Sequence, residues 1–233
     1  MKIFDEYIKQ TLNILESYEK KPLVDQGACL GLVKKSIFMM EKDMAVELGG
    51  YPKESINLIL ATSEMDFEEG VFMLGDADLT SSDHLSFGKV VLLLTEDIPD
   101  DKLYDFTQET LLKDVSLKFE DVMLRTSPAH YYTNLRISKK AMRSGFSFDK
   151  MASTVRAEFE KIPNVKKAQV LLIAGDSPVY RQLLPIAENV KEVTVALNHI
   201  FDGIDMDCGS CVWNELCDEV EGLRELHKSA QSR

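Results

Sequence analysis

The chain has 233 residues, with 27 Lys and Arg against 39 Asp and Glu and a formal net charge of −12 at pH 7. This acidic balance argues against nucleic acid or an anionic membrane surface as the main partner, because both carry negative charge. Apolar residues make up 45% of the sequence, so the chain can bury a substantial core. No apolar run is long enough for a membrane helix, and residues 1–16 lack the apolar centre of a secretory signal. We therefore predict a cytoplasmic protein with reduced cysteines.

The first half of the chain is predicted to hold two helices, a group of strands and a third helix. Apolar residues recur at helical spacing over residues 3–18. A second helix is predicted over residues 27–40, where Cys29 would be a small core residue. Four short apolar runs predict three or four strands of one sheet, namely residues 44–48, 56–62, 71–74 and 85–95. Within the last run, residues 90–94 are continuously apolar, which is typical of a strand buried on both faces. A helix over residues 103–112 follows.

The next elements carry recognisable helix caps. A strand over residues 130–137 leads to Ser138, which is predicted to be the N-cap of a short helix that Gly145 ends. Ser147 is the predicted N-cap of a helix over residues 148–162, the clearest amphipathic pattern in the chain.

The last predicted elements form a strand–helix–strand unit. A buried strand over residues 165–174 is followed by a helix from residue 177 to about 189 and by a second strand over 190–198. Such a unit places two neighbouring parallel strands in one sheet. We therefore predict an α+β fold with a mixed sheet flanked by helices, a C-terminal βαβ unit and a cysteine-containing helical segment. The predicted regions are an N-terminal helical segment, an α+β region, and the βαβ unit with the cysteine segment, over residues 1–42, 43–165 and 166–233 respectively.

Three of the four cysteines lie close together in the sequence, as Cys208, Cys211 and Cys217. The two residues between the first pair allow one turn to direct both sulfurs at one metal ion, and Cys217 precedes a predicted helix whose positive N-terminal end favours a thiolate. This spacing favours zinc or an iron–sulfur cluster. Both usually take four protein ligands, and the candidates for the fourth are His199 and Cys29. The alternative is that these cysteines are thiols that hold no metal.

A stretch in the middle of the chain resembles a known family. Residues 134–141, which read Asn-Leu-Arg-Ile-Ser-Lys-Lys-Ala, and the following Gly145-Phe146 resemble part of the middle domain of acetyl-CoA synthase, the beta subunit of the carbon monoxide dehydrogenase/acetyl-CoA synthase complex. The likeness extends over about residues 43–175. It implies an α+β domain with arginines near the point where coenzyme A enters, and Arg136 falls on a matching position. The alternative for Arg136 is a charge at the end of a strand, paired with a carboxylate.

The sequence also departs from that family. It has no Cys-Gly-Cys, the motif that holds nickel in the family, and its Cys208–Cys217 run has no fourth cysteine. The family's catalytic ligands are therefore not transferred to this chain, and whether it is an enzyme stays open. The resemblance implies an accessory metal- or iron–sulfur-binding component of anaerobic one-carbon metabolism, with carbon monoxide dehydrogenase/acetyl-CoA synthase subunits or another protein as partner. The alternative is a non-catalytic binding module that docks a partner protein or a coenzyme A-like ligand.

Overall fold

The computed structural model describes residues 3–35, 39–76, 79–80, 84–127, 132–201, 220 and 225–226, with the backbone alone for residues 100 and 199–201. Its elements in chain order are α1 (Asp5–Glu16), β1 (Lys20–Pro22), a 3-10 turn (Glu41–Asp43), β2 (Met44–Gly49), β3 (Ser55–Thr62), β4 (Gly70–Gly75), β5 (Phe87–Thr95), α2 (Asp100–Ser116), β6 (Val122–Ser127), β7 (Tyr132–Ser138), α3 (Lys139–Arg143), α4 (Phe148–Phe159), β8 (Val165–Ala174) and α5 (Val179–Phe201). The predicted α+β class is confirmed.

The described strands form two sheets, with the orders β1-β4-β8-β5-β3 and β2-β7-β6. In the larger sheet β3 pairs with β5 and β4 pairs with β8 in parallel, whereas β5 and β8 are antiparallel. The sheet is therefore mixed, as predicted. In the apolar run of β5, Leu92 and Leu93 are fully buried and belong to the cores on opposite faces of the sheet. This confirms the prediction of a strand buried on both sides.

Helices and the smaller sheet cover the two faces of the larger sheet. On one face, α1 and α5 contribute buried residues such as Ile8 and Val193. On the other face, α4 and the smaller sheet contribute residues such as Met151 and Leu135. Helix α2 supplies Leu103 to the first core and Phe106 to the second, so it runs along the edge of the sheet beside β3.

The second strand of the predicted βαβ unit is wrong, because residues 190–198 continue α5 as a helix. Valine and threonine in this segment favour a strand locally, but the tertiary packing uses its helical periodicity. The side chains that α5 buries here recur every three or four residues, as Val190, Val193, Ala196 and Leu197. Pro185 lies inside the helix without ending it. The parallel neighbour of β8 is therefore β4, not a strand that follows α5.

The predicted helix over residues 27–40 is also wrong, since residues 27–35 are not helical. Residues 24–30 instead run as a loop across α4, whose side chains accept the backbone N–H groups of the loop. The N–H of Gln26 donates to Ser153 Oγ at 3.0 Å, and the N–H of Leu30 donates to Thr154 Oγ1 at 2.9 Å. Because α4 satisfies these donors, the loop needs no helical hydrogen bonds.

Several local predictions are confirmed. Ser138 Oγ accepts a hydrogen bond from the N–H of Ala141 at 2.9 Å, and Ser147 Oγ accepts one from the N–H of Lys150 at 3.3 Å. These are the N-caps of α3 and α4. Three features of the strands were not predicted: β1, β6, and the position of β2 in the smaller sheet.

The three predicted regions share one sheet. Strand β4 pairs with β1 from the first region and with β8, which begins at the boundary of the third. None of the helices that the structure describes is long and apolar enough to cross a membrane.

Candidate functional site

The predicted metal ligands near the C-terminal end cannot be placed together. Cys208, Cys211 and Cys217 lie outside the described residues, and so does the side chain of His199. Their convergence on one ion stays a prediction. Within the described part of the chain, no group of three or more His, Cys, Asp and Glu side chains is placed to hold a metal ion.

Cys29 is exposed on the loop that crosses α4, so the prediction of a small core residue is wrong. Its N–H donates to Thr154 Oγ1 at 3.2 Å, and its thiol lies 3.8 Å from the carbonyl oxygen of Lys150. It therefore lies on the face of the sheet that α4 covers. The backbone of His199 belongs to α5, which packs on the opposite face. Because the sheet separates them, Cys29 and His199 are alternatives as a fourth ligand and do not serve one ion together.

Arg136 lies on β7 and forms an ion pair across to β2. Its Nε donates to Glu47 Oε1 at 2.6 Å, and the side-chain amide of Asn134 donates to the same oxygen at 3.2 Å. Burial by itself would raise the pKa of Glu47, but these hydrogen bonds outweigh it and hold the pKa below its usual value of 4.5. The prediction that Arg136 pairs with a carboxylate is confirmed. Its contact with coenzyme A stays a prediction.

A cavity of about 260 Å³ lies beside β3, the last strand of the described sheet, between α2 and α5. Its walls are largely apolar and include Leu58, Ile59, Phe106, Leu111, Val190 and Val195. Polar lining residues are Asn57, Thr107, Thr110, Lys191, Thr194 and Asn198. Lys191 is the only charged side chain among the described residues that line it.

Alternate residues of β3 direct their backbone N–H and C=O groups toward this cavity. In a strand, the N–H and C=O of one residue point to one side and those of the next residue point to the other. The carbonyl of Glu54 accepts from the N–H of Phe87, and the carbonyl of Thr62 accepts from the hydroxyl of Thr95, so even-numbered residues of β3 face β5. The backbone groups of residues 57, 59 and 61 therefore point to the outer edge, and all three residues line the cavity.

A buried polar cluster underlies one wall of the cavity and consists of Lys89, Asp114 and Asn57, which we call the Lys89 cluster. Lys89 and Asp114 form an ion pair with side chains that are 0% exposed. The side-chain Nδ2 of Asn57 donates to Asp114 Oδ2 at 2.8 Å. Asn57 is only 6% exposed, and its Oδ1 has no hydrogen-bond partner among the described residues. The cluster is therefore complete except for one acceptor, on a residue that lines the cavity.

Sequence reasoning missed the Lys89 cluster. One signal was present, because Lys89 interrupts an otherwise apolar buried strand, and lysine is almost never fully buried unless it is paired. Asp114 and Asn57 gave no comparable signal. They lie 25 and 32 residues from Lys89 in the sequence, and only the fold brings the three together.

A second concavity, of about 570 Å³, lies at the end of the sheet where β8 leads into α5. Its cations are already paired, Lys53 with Asp176 and Arg181 with Glu54, each at 3.3 Å. These four charges cancel, and each of the four side chains is at least one-third exposed. The concavity therefore lacks the buried, incompletely paired polar group that distinguishes the cavity beside β3.

Comparison with protein-family models and with curated proteins finds no match to this sequence. The functional inference therefore depends on the geometry of the described residues and on the sequence pattern.

Proposed function

We propose that this protein is a binding module that holds a small, largely apolar organic molecule in the cavity beside β3. The observation that carries this proposal is a largely apolar cavity of about 260 Å³ with a few polar side chains in its lining. Binding sites of this kind are mostly apolar, with a few convergent polar groups that orient the ligand.

The cavity volume bounds the size of the ligand. An engineered apolar cavity of about 150 Å³ in another protein accepts benzene. A cavity of about 260 Å³ is larger than that and lies just below the usual range for drug-sized ligands. A bicyclic molecule of about ten non-hydrogen atoms is therefore the expected size class.

Methyl-resolved NMR titration tests this proposal with indole as the probe. Methyl resonances of Leu58, Ile59 and Val195 should shift together and saturate, because these side chains line the cavity. The matched variant is Ala187→Leu, which adds carbons to a buried lining residue and fills part of the cavity. This variant should remain folded, as judged by its thermal unfolding, and should bind indole much more weakly. Absence of saturable shifts in the wild type, or equal binding by the variant, would contradict the proposal.

A second candidate function is metal binding by Cys208, Cys211 and Cys217, which the cysteine spacing and the resemblance to acetyl-CoA synthase favour. The chain would then be a cytoplasmic accessory protein of anaerobic one-carbon metabolism that carries zinc or an iron–sulfur cluster and docks carbon monoxide dehydrogenase/acetyl-CoA synthase subunits. Anaerobically purified protein should contain zinc, or iron with sulfide, at close to one site per chain, and Cys211→Ser should lose it. Because the sheet separates Cys29 from His199, removal of one of them should lower the metal content and removal of the other should not. Metal-free protein with all four thiols titratable would rule this function out.

The resemblance also makes coenzyme A a candidate ligand near Arg136. Calorimetry with coenzyme A tests this directly, and Arg136→Lys is the matched variant because it keeps the charge and loses the planar guanidinium. The pairing of Arg136 with Glu47 predicts a further effect. Glu47→Gln should strengthen binding of the anionic ligand, since it releases the arginine from its carboxylate partner.

A further inference from the structure

Resting on the proposed binding function, we infer that the ligand of this cavity carries a hydrogen-bond donor directly beside an acceptor, as a cyclic amide does, and pairs with the backbone N–H and C=O of Ile59. These two groups lie on the outer edge of β3, which forms one wall of the cavity. Two sets of observations support this ligand chemistry: the backbone groups that the edge offers, and the hydrogen bonds that the other polar lining residues already make.

The outer edge of β3 presents alternating donors and acceptors. Within the described part of the chain, β3 pairs with β5 and with no other strand. Because the even-numbered residues face β5, the N–H and C=O groups of Asn57, Ile59 and Ala61 point away from it. Ile59 is the central residue of the three and is partly exposed, whereas Asn57 and Ala61 are buried. Its N–H and C=O are therefore the edge groups that a ligand reaches most easily.

These backbone groups require partners of both kinds. A ligand that displaces water from them must replace both hydrogen bonds, because an unpaired N–H or C=O in an apolar cavity costs free energy. The N–H and C=O of one strand residue are closely spaced, and in an antiparallel sheet they meet the C=O and N–H of the residue opposite. A cyclic amide holds its C=O and N–H on the same side of one bond, so it can take the place of that residue. A ligand with a donor alone, or with an acceptor alone, leaves one backbone group unpaired.

Most polar side chains of the lining offer a ligand only one kind of group. Lys191 carries an ammonium group, which only donates. The hydroxyls of Thr107, Thr110 and Thr194 donate to backbone carbonyls of their own helices, at distances of 2.8 to 2.9 Å. Each of these hydrogens is therefore committed, and each threonine oxygen can offer a ligand only its lone pairs.

The two asparagines of the lining have both functions in one amide, but each is already engaged. Asn57 Nδ2 donates to Asp114, and Asn57 Oδ1 is a buried atom. Asn198 Oδ1 accepts from Gln108 Nε2 at 2.7 Å, a hydrogen bond that joins α5 to α2. The edge at Ile59 is therefore the place in the described lining where a donor and an acceptor lie side by side without such a commitment. The cavity volume of about 260 Å³ suits a small molecule and not a strand of another protein chain.

Oxindole, indan-2-one and indole form a matched set of bicyclic probes. Oxindole has an N–H beside a C=O, indan-2-one has a CH₂ group in place of that N–H, and indole keeps the N–H but lacks the C=O. The last two are more apolar than oxindole, so hydrophobic burial alone would favour them. Wild-type protein should nevertheless bind oxindole about tenfold more tightly than either of them. The amide ¹H resonance of Ile59 should move downfield with oxindole and not with indole, which has no carbonyl to accept from it.

Variants at position 59 test the assignment to Ile59. Ile59→Pro removes the N–H that donates to the ligand carbonyl, and proline is tolerated on an edge strand where the N–H faces away from the sheet. This variant should bind oxindole and indole with similar affinity, whereas the matched control Ile59→Val should keep the preference for oxindole. Asn198→Ala should keep it as well. If Ile59→Pro fails to fold or binds neither probe, the Ile59 amide resonance in wild type decides the assignment.

The possible outcomes separate this inference from the proposed function. Binding of indan-2-one or of indole by wild type as tightly as oxindole, or more tightly, would overturn the inference and leave the proposed function standing. Binding of none of the three probes would overturn both. A preference for oxindole over indole that persists in Ile59→Pro, or that is lost in Asn198→Ala, would also overturn the inference, because it would assign the pairing to another part of the lining.

Discussion

The molecule contains two polar clusters that differ in how completely they are paired. The first, which we call the Arg156 cluster, is centred on a residue of α4 that also contacts β8. The Nη1 of Arg156 contacts Asp25, its Nη2 contacts Glu69 and lies 2.8 Å from Glu160, and its Nε donates to the carbonyl of Ala168 at 3.2 Å. Every nitrogen of the guanidinium therefore has a partner. The second is the Lys89 cluster, which is more deeply buried and leaves Asn57 Oδ1 without a described partner.

The two clusters also differ in what they join. The Arg156 cluster joins α4 to the loop that holds Asp25 and to the segment before β4 that holds Glu69, so its complete pairing explains why it is present. The Lys89 cluster joins α2 to β5 and β3, but a purely structural cluster gains nothing from an unpaired acceptor. The incomplete pairing lies on a residue that also lines the cavity to which we assign ligand binding.

The largest expected effect is from Lys89→Met, which leaves the carboxylate of Asp114 buried without its cation. Breaking a buried pair in this way should lower the free energy of unfolding by about 3–5 kcal/mol. Urea denaturation at pH 7 measures it. The double variant Lys89→Met/Asp114→Leu should recover much of the loss, because it removes the uncompensated charge as well. A loss below about 1 kcal/mol in the single variant would mean that the pair is hydrated like a surface ion pair, and the contrast between the clusters would fail.

A smaller effect is expected from Arg156→Ala, which removes the centre of the Arg156 cluster. Its side chain is 17% exposed, and the variant should lower the free energy of unfolding by about 1–3 kcal/mol. Proteolytic cleavage within residues 24–30 should become faster, because this loop loses its link to α4 through Asp25. Arg156→Lys is the matched control. Its free energy of unfolding should lie between those of wild type and Arg156→Ala, since lysine keeps the positive charge but not the planar guanidinium. Unchanged cleavage of the loop in Arg156→Ala would show that the hydrogen bonds to Ser153 and Thr154 hold the loop without the arginine.

The smallest effect, and the one that depends on pH, is expected from Asp25→Asn. Burial alone would raise the pKa of Asp25, but hydrogen bonds from the Gly27 N–H and from Arg156 outweigh it and hold the pKa below its usual value of 3.8. The folded state therefore binds a proton less readily than the unfolded state. The stabilisation that ionised Asp25 provides is fully present at pH values above its unfolded-state pKa. It is lost as the pH falls through the folded-state pKa.

Asp25→Asn should therefore cost about 1 kcal/mol or less at pH 7, since Asp25 is partly exposed. The difference from wild type should shrink as the pH is lowered below about 4, in the range of ordinary carboxyl titration. Urea denaturation at both pH values gives the comparison. Asparagine keeps the oxygen that accepts from the Gly27 N–H, so the variant isolates the charge. A difference that is the same at both pH values would mean that the variant acts through geometry and not through ionisation.

Elements with local signals could be predicted from the amino-acid sequence. Ser138 and Ser147 are helix caps because their hydroxyls reach the N–H groups three residues ahead, and that geometry depends on a few neighbouring residues only. The strand over residues 165–174 and the helix that begins at residue 148 were predicted for the same reason, since apolar periodicity over one segment was enough.

Features that depend on residues far apart in the sequence could not be predicted and follow from the packing of the fold. Residues 190–198 are helical because α5 buries one stripe against the sheet, and residues 24–30 form a loop because α4 accepts their N–H groups. The Lys89 cluster likewise depends on residues that are distant in the sequence. A lysine in an apolar strand signals that a buried partner must exist, but it carries no information about which carboxylate will meet it or whether a cavity will lie alongside. Those outcomes follow from how β3, β5 and α2 pack, because hydrogen bonds and ion pairs act over a few ångströms in space and not along the chain.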